Sequence, residues 1–293
     1  MSFTVSRRES IGAGLIFLWL VGLALLARRE LFVGEPEQMT EAALLVVPGS
    51  AYYEVMNGDR RVGWASSSID TSVTGISVRD VLIIDPPDSV SKDRFAARAS
   101  VNLTPGLRLT SFVFQLGGGH GPYRVSGKMS QDTLLTLITN AGTAHPDTAT
   151  VPVLRAMFWQ TTVPLALALA ARPKVGRVYK YSIYDPTSGT PEDIQLRVGA
   201  ESLFVVPDSA KMDEARHTWI VAHEDTVRGW RLDPQSSTIL SGWIDERGRA
   251  IQTTPLGTFT LRRTAYELAF LNWTLEARKS AAAIQARHPP TIR

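Results

Sequence analysis

From Ala51 onward the chain alternates apolar and polar residues with a period of two, and turn residues break the alternation every ten or so positions. That period places alternate side chains on opposite faces of a pleated strand, and no helix accommodates it. "AYYEVMNGDRRVGWASSSI" holds two such runs joined by Asn57-Gly58, a strong short-range hairpin signal. "GISVRDVLII" follows and stops at Asp85-Pro86-Pro87. "RFAARASVNL" leads through Thr104-Pro105-Gly106 into "LRLTSFVFQL". In that run Leu107, Leu109, Ser111, Val113 and Gln115 are expected on one face, with Arg108, Thr110, Phe112, Phe114 and Leu116 on the other. "PYRVSGKM" and "DTLLTLIT" continue the series. Short strands at this spacing predict an antiparallel sheet or open barrel.

The pattern breaks at "VPVLRAMFWQTTVPLALALAARP", residues 151 to 173. Pro164 lies inside it, so it reads as a linker and then a short helix starting near Thr162, with the proline in its first turn. Strand patterns return at "RVYKYSIYD", "DIQLRVGAESLFVV", "HTWIVAHED", "VRGWRLD" and "TILSGWIDERGRAIQT". From about Thr264 an amphipathic helix is expected, with Ala265, Leu268, Ala269 and Trp273 on one stripe.

The run from Ile11 to Ala27 carries no charge and is flanked on both sides by Arg-Arg-Glu. Seventeen residues make about 25 Å of helix, the short end of a membrane span. The run ends Leu25-Leu26-Ala27-Arg28, without the small-x-small site of a cleaved signal peptide. An uncleaved anchor is expected, with Ile11, Leu15, Leu18, Trp19, Leu23 and Leu26 facing lipid or partner helices. Arg7 and Arg8 balance Arg28 and Arg29, so flanking charge does not orient it.

The expected organisation is a short tail (1–10), a transmembrane anchor (11–33) and a linker (34–50). A first β-rich lobe (51–150), a connector with a short helix (151–175), a second β-rich lobe (176–261) and a C-terminal helix and tail (262–293) follow. The fold class is mainly β with a few helices: a two-lobed antiparallel sheet or open-barrel body. The 260 residues after Val33 suffice for such a body with its own core.

The net charge of +3 is small, and no dense basic run marks a nucleic-acid face. With no cysteine there is no disulfide, thiolate metal site or cysteine nucleophile. "LGGGHG", residues 116 to 121, lacks the Gly-Lys-Ser/Thr ending of a phosphate loop and sits between two strands, so a glycine-rich hairpin loop with His120 near its tip is expected. His217 and His223, six residues apart on one expected strand, would lie about 20 Å apart and could not share a metal. His145 and His288 complete no spacing motif. No Gly-x-Ser-x-Gly or Ser-x-x-Lys signature is present. Asp185 and Asp245 each stand where a strand meets a turn, which turn hydrogen bonding explains. Trp64, Trp219, Trp230 and Trp243 fall on separate strands. Core packing accounts for them, and Trp64, Trp230 and Trp243 are the candidates for partner contact.

The order of features resembles the β-rich domain found ahead of transglutaminase-like domains in bacterial envelope proteins, and related stand-alone domains of unknown function. The matching stretches are "YYEVMNGDRRVGWASSSI", "GRVYKYSIYDP" and "GWIDERGRAIQTTPLGTFTLRRTAYELA", over roughly residues 51 to 270. The resemblance implies a β-rich fold and a membrane-tethered, extracytoplasmic setting. It implies no activity: that chemistry belongs to a following Cys-His-Asp domain, and this chain has no cysteine onto which it could map.

The expectation is a non-catalytic, single-pass scaffold subunit of the inner membrane, N-terminus cytoplasmic and body periplasmic. Its partners would be membrane lipid and other membrane protein subunits, as in a photosynthetic reaction centre–antenna or another bioenergetic assembly, without cofactor, metal or nucleic acid. The alternative is a binding module for lipid, peptide or glycan, which requires an apolar cavity of about 300 Å³ or more between the lobes. The third reading is an envelope enzyme, which requires two of Asp185, His217, His223 and Asp245 within hydrogen-bond reach.

Overall fold

The computed structural model describes residues 45–85, 94–118, 122–140, 145–186, 188–235, 241–254 and 259–275. The expected anchor, with Ile11, Leu15, Leu18, Trp19, Leu23 and Leu26, lies outside them, as do the tail 1–10, most of the linker, His120 and His288. Among the described residues no helix is long and apolar enough to cross a membrane.

The body is mainly β. Its first half is a meander of eight strands: β1 (Gly49–Asn57), β2 (Arg60–Ser72), β3 (Gly75–Ile84), β4 (Phe95–Leu103), β5 (Leu109–Gly117), β6 (Tyr123–Ser130), β7 (Leu134–Thr139) and β8 (Asp147–Pro152). A short β9 (Met157–Trp159) follows. The second half contains β10 (Val178–Asp185), β11 (Thr190–Asp213), β12 (Thr218–Pro234), β13 (Gly242–Asp245), β14 (Ala250–Thr253) and β15 (Thr260–Thr264).

The halves expected as two lobes are one sheet, ordered β8-β7-β6-β5-β4-β3-β2-β1-β15-β14-β13-β12-β11-β10-β9. The join is β1 against β15, with Tyr53 opposite Arg263 and Val55 opposite Leu261. Each sequence run shows its own alternation but not its neighbour, so this long-range pairing is absent from the local pattern. β9 falls inside the expected connector and pairs parallel to β10, Phe158 opposite Ile183. Between them run a 3-10 turn (Gln160–Thr162), an α-helical turn (Val163–Ala166) with Pro164 near its start, and a π-helical turn (Leu167–Ala171).

Period two buries one face. In β1, Ala51, Tyr53 and Val55 are buried, while Tyr52 and Glu54 between them are only partly so. The register shifts at several points, and one of them moves residues from the face that strict alternation gives them. A register shift at Asn102/Leu103 pairs Leu103 with Leu109 and Asn102 with Ser111, so Thr110 is the extra residue. Leu109 therefore joins Phe112 and Phe114 in the core, although strict alternation separates them.

The sheet curls until its first half faces its second. Phe112 on β5 lies 4.9 Å, ring to ring, from both Trp159 on β9 and Tyr184 on β10. The main core draws on both halves and includes the connector residues Val163, Leu165 and Leu167. Gly127 faces Phe112 across the β5–β6 pair, where a Cβ would stand 2.1 Å from the ring. A second, smaller cluster gathers Ala51, Tyr53, Val55, Val62, Ala65 and Ile84.

Helical residues 266–275 follow β15 and lie across β1 and β2. Tyr266 meets Tyr52 at 5.0 Å and Phe270 meets Trp64 at 5.0 Å, both edge to face. Ala265, Leu268 and Ala269 are buried, as the expected stripe requires.

The sheet has two ends. At the near end the chain enters through Leu45–Pro48, and the turns 73–74, 104–108, 131–133, 153–156 and 246–249 and the approach to β10 at 172–177 sit there. The far end carries the turns 58–59 and 186–189 and the described parts of the β3–β4, β5–β6 and β7–β8 connections.

Candidate functional site

Three features could carry function: a polar layer inside the sheet, a long two-stranded arm, and the rim of the near end.

The polar layer lies on the inward face where Ser67 on β2 opposes Asp80 on β3. Ser67 Oγ and Thr161 Oγ1 each donate a hydrogen bond to the Asp80 carboxylate at 2.6 Å, tying the connector to the sheet. Burial raises the Asp80 pKa, and the two hydroxyl donors oppose that rise. Tyr53 is buried beside this group and beside Arg263, Asp80, Asp245 and Arg249; desolvation drives its hydroxyl pKa well up. The ion pair of Arg263 with Asp245 Oδ2, at 2.5 Å, joins a buried carboxylate to a half-buried guanidinium. Asp245 Oδ1 accepts from the backbone N–H groups of Arg247 and Arg249, both at 2.9 Å, closing the β13–β14 turn. Just before Thr161, Trp159 Nε1 and Gln160 Oε1 are buried and have no hydrogen-bond partner among the described residues.

This layer is built to hold elements together. Asp245 is neutralised by Arg263 and saturated by its turn. The hydroxyls of Ser67 and Thr161 donate to a carboxylate; neither rests on an imidazole that could take its proton. Asp185 is buried at the far end, its carbonyl accepting from Gly189 N–H at 2.9 Å. Desolvation, with smaller contributions from Tyr123 and Asp185, pushes the neighbouring Tyr184 up to about 12. His217 is not on a strand: it sits in the β11–β12 turn with φ of 50°. His223 is exposed on β12, 3.9 Å from both Asp208 and Asp225. The structure therefore disperses Asp185, His217, His223 and Asp245 over separate turns and strands. Among the described residues, no group of three or more His, Cys, Asp or Glu side chains is placed to hold a metal.

The arm is the outer part of the β11–β12 hairpin. β11 leaves β10 after Arg197, and β12 meets β13 only from Gly229. Register shifts at Val198/Ala200 and around Pro207–Ala210 bend the ribbon between those points. One face packs inward, with Phe204 4.8 Å from the Trp243 ring and Val206 buried. The other shows Leu203, 68% exposed, and Val205, 63% exposed. At the tip Asn272 holds the Trp219 backbone: its amide donates to Trp219 O at 2.8 Å and its oxygen accepts from Trp219 N–H at 2.9 Å. Asp208, Asp213, Glu224 and Asp225 give this ribbon an acidic character.

The three tryptophans singled out for partner contact have neighbours within the chain. Trp64 packs on Phe270, Trp243 on Phe204, and Trp230 is buried with its indole N–H donating to Glu201 at 3.2 Å. Sequence reasoning missed the outward apolar residues Leu203 and Val205. The signal was present in "ESLFVV", which is too apolar on both faces for a strand with one wet side.

At the near end, an open groove of about 560 Å³ is lined by Arg108, Arg155, Lys180 and Asp193 with Phe158 and Tyr181 at its base. Asp193 pairs with Arg155 at 3.4 Å and Asp132 with Arg108 at 3.8 Å.

No protein-family model matches the chain, and neither does any curated protein. The chain resembles several solved structures, two of them as follows. A β-barrel-like protein of the domain of unknown function DUF1849 from Brucella abortus is 12% identical, over 74% of this chain and 95% of that one, with a TM-score of 0.47. A DUF1089 family protein from Pseudomonas aeruginosa is 8% identical, over 64% of this chain and 87% of that one, with a TM-score of 0.35.

Proposed function

We propose that the protein is a non-catalytic scaffold subunit, tethered to the inner membrane by residues 11–33, whose extracytoplasmic β body docks on a membrane protein complex. The observation that carries this reading is the arm. A two-stranded ribbon is marginal in water by itself. Here it is packed down on one face and pinned at its tip, so that Leu203 and Val205 are held outward on a rigid support. Exposed apolar side chains on a preorganised surface are what a protein partner buries. The arm's carboxylates favour a partner with a cationic rim. The core shared by both halves supports the scaffold over the alternative, a binding module for lipid, peptide or glycan, which needs an internal apolar cavity. The body's placement outside the cytoplasm rests on the resemblance to envelope β domains.

Purification of the full chain from native membranes in mild detergent tests this reading. The wild type is expected to bring membrane subunits with it, and the double variant Leu203→Asp/Val205→Asp to lose them while keeping its circular dichroism. A wild-type chain that purifies alone, or a variant that retains every partner, overturns it.

A further inference from the structure

We infer that the near end of the sheet is a bilayer-docking rim, in which apolar turn tips enter the lipid interface and flanking cations meet lipid phosphates. This rests on the membrane-tethered reading above but on different residues. Turns in water are made of Gly, Asn, Asp, Ser and Pro for conformational and solvation reasons. Three separate near-end connections instead carry an apolar side chain outward: Val73 is 100% exposed, Leu154 95% and Val175 54%. Leu45 and Val47, on the entering chain, are exposed beside them. No described far-end turn shows an exposed large aliphatic side chain.

The second observation is charge. Arg155 follows Leu154 directly, Lys174 precedes Val175, and Arg108 and Lys180 line the groove at this end. Asp193 and Asp132 pair with two of these cations, while Arg172, Lys174 and Arg177 bracket Val175 with no acidic residue in their turn. Leu154 and Val175, flanked by Lys and Arg, match the interface of an anionic leaflet, while Val73 stands between Ser72 and Thr74 as an apolar tip alone. The third is connectivity. The uncharged run 11–27 lies upstream of Leu45, so the same end that shows these tips receives the chain from the expected anchor.

The chain has no cysteine, so single introduced thiols report one position each. Full-length Val73→Cys, Leu154→Cys and Val175→Cys, and the far-end controls Asp59→Cys and Asn140→Cys, would carry an environment-sensitive fluorophore. Each would be reconstituted into phosphatidylcholine vesicles with and without phosphatidylglycerol. The rim labels are expected to shift to the blue and to lose emission to doxyl-labelled lipid, more strongly with phosphatidylglycerol, while far-end labels stay aqueous. Rim labels as aqueous as the controls, in a chain that resists alkaline extraction, overturn the rim and leave the anchor standing. Blue-shifted rim labels in a chain that alkali releases do the reverse. Rim labels protected only when other membrane proteins are present assign this surface to a protein and overturn the lipid reading.

Discussion

At the far end of the sheet the chain reverses on Asn57-Gly58-Asp59 and on Ser188-Gly189, residues that satisfy turn geometry and water together. At the near end it reverses on Val73-Thr74 and passes through Leu154 and Val175, which satisfy geometry alone. One near-end turn shows the ordinary use of an apolar residue: Leu107 points inward and is fully buried, even at a φ of 61°. Val73, Leu154 and Val175 are spent differently, on the outside. The contrast separates what keeps the body folded from what the body offers to its surroundings.

Substitutions inside the sheet should sharpen that separation most. Phe112→Ala removes the ring that meets Trp159 and Tyr184, and a loss of about 3–5 kcal/mol is expected in urea denaturation. A loss under about 1 kcal/mol would mean that the facing walls do not depend on each other.

Two ion pairs give the next test. Asp245→Asn keeps the turn's acceptor but removes the carboxylate from the half-buried Arg263 guanidinium, and about 1.5–3 kcal/mol is expected. At the far end Arg94 and Asp85 make two bonds at 2.6 and 3.0 Å, yet in solvent, so Asp85→Asn should cost no more than about 1 kcal/mol. Equal losses in thermal or chemical denaturation would erase the distinction between the structural interior and the exposed end.

Asp80 adds a pH signature. Its folded pKa is raised above the unfolded value, so the folded state holds this proton more tightly. Stability from this group is therefore greatest below the unfolded carboxyl pKa of 3.8 and declines as pH rises through the folded value. Asp80→Asn removes the charge and keeps an acceptor for one of the two hydroxyls, while the other turns to accept from the new amide N–H. The substitution should raise the melting temperature at pH 7, with the gain vanishing as pH falls toward 3.8. A gain that is unchanged across that range would assign the effect to packing.

The smallest effect is expected at the rim. Val73→Ser and Leu154→Ser should leave stability within about 0.5 kcal/mol of wild type. A larger loss would show these tips to be part of the fold after all.

Much of this architecture was legible in the sequence as local alternation. Asn57-Gly58 marked the first hairpin, and Pro164 marked the start of the connector helix. What stayed hidden depends on residues far apart. Nothing near Tyr53 announces Arg263 as its cross-strand neighbour. The arm was hidden for another reason. β11 runs unbroken from Thr190 to Asp213, but its register shifts and Pro207 interrupt the alternation, so it reads as shorter pieces. The polar layer was half visible: Asp245 stood out by its turn, whereas Asp80, on the same face of "GISVRDVLII" as the buried Ile76 and Val78, has no local mark that tells its role.

The pairing of β1 with β15 has a consequence in time. A ribosome delivers β1 more than two hundred residues before β15. Through that interval β1 has β2 on one side and an open edge on the other. Such an edge is a template for any extended strand that reaches it. The meander β1–β8 can form as it emerges, but the ring of contacts is fastened only when the last strand arrives. Contacts this distant in sequence close slowly. The body is thus a clasp whose two hooks lie at opposite ends of its synthesis, and its vulnerable moment falls before it is finished.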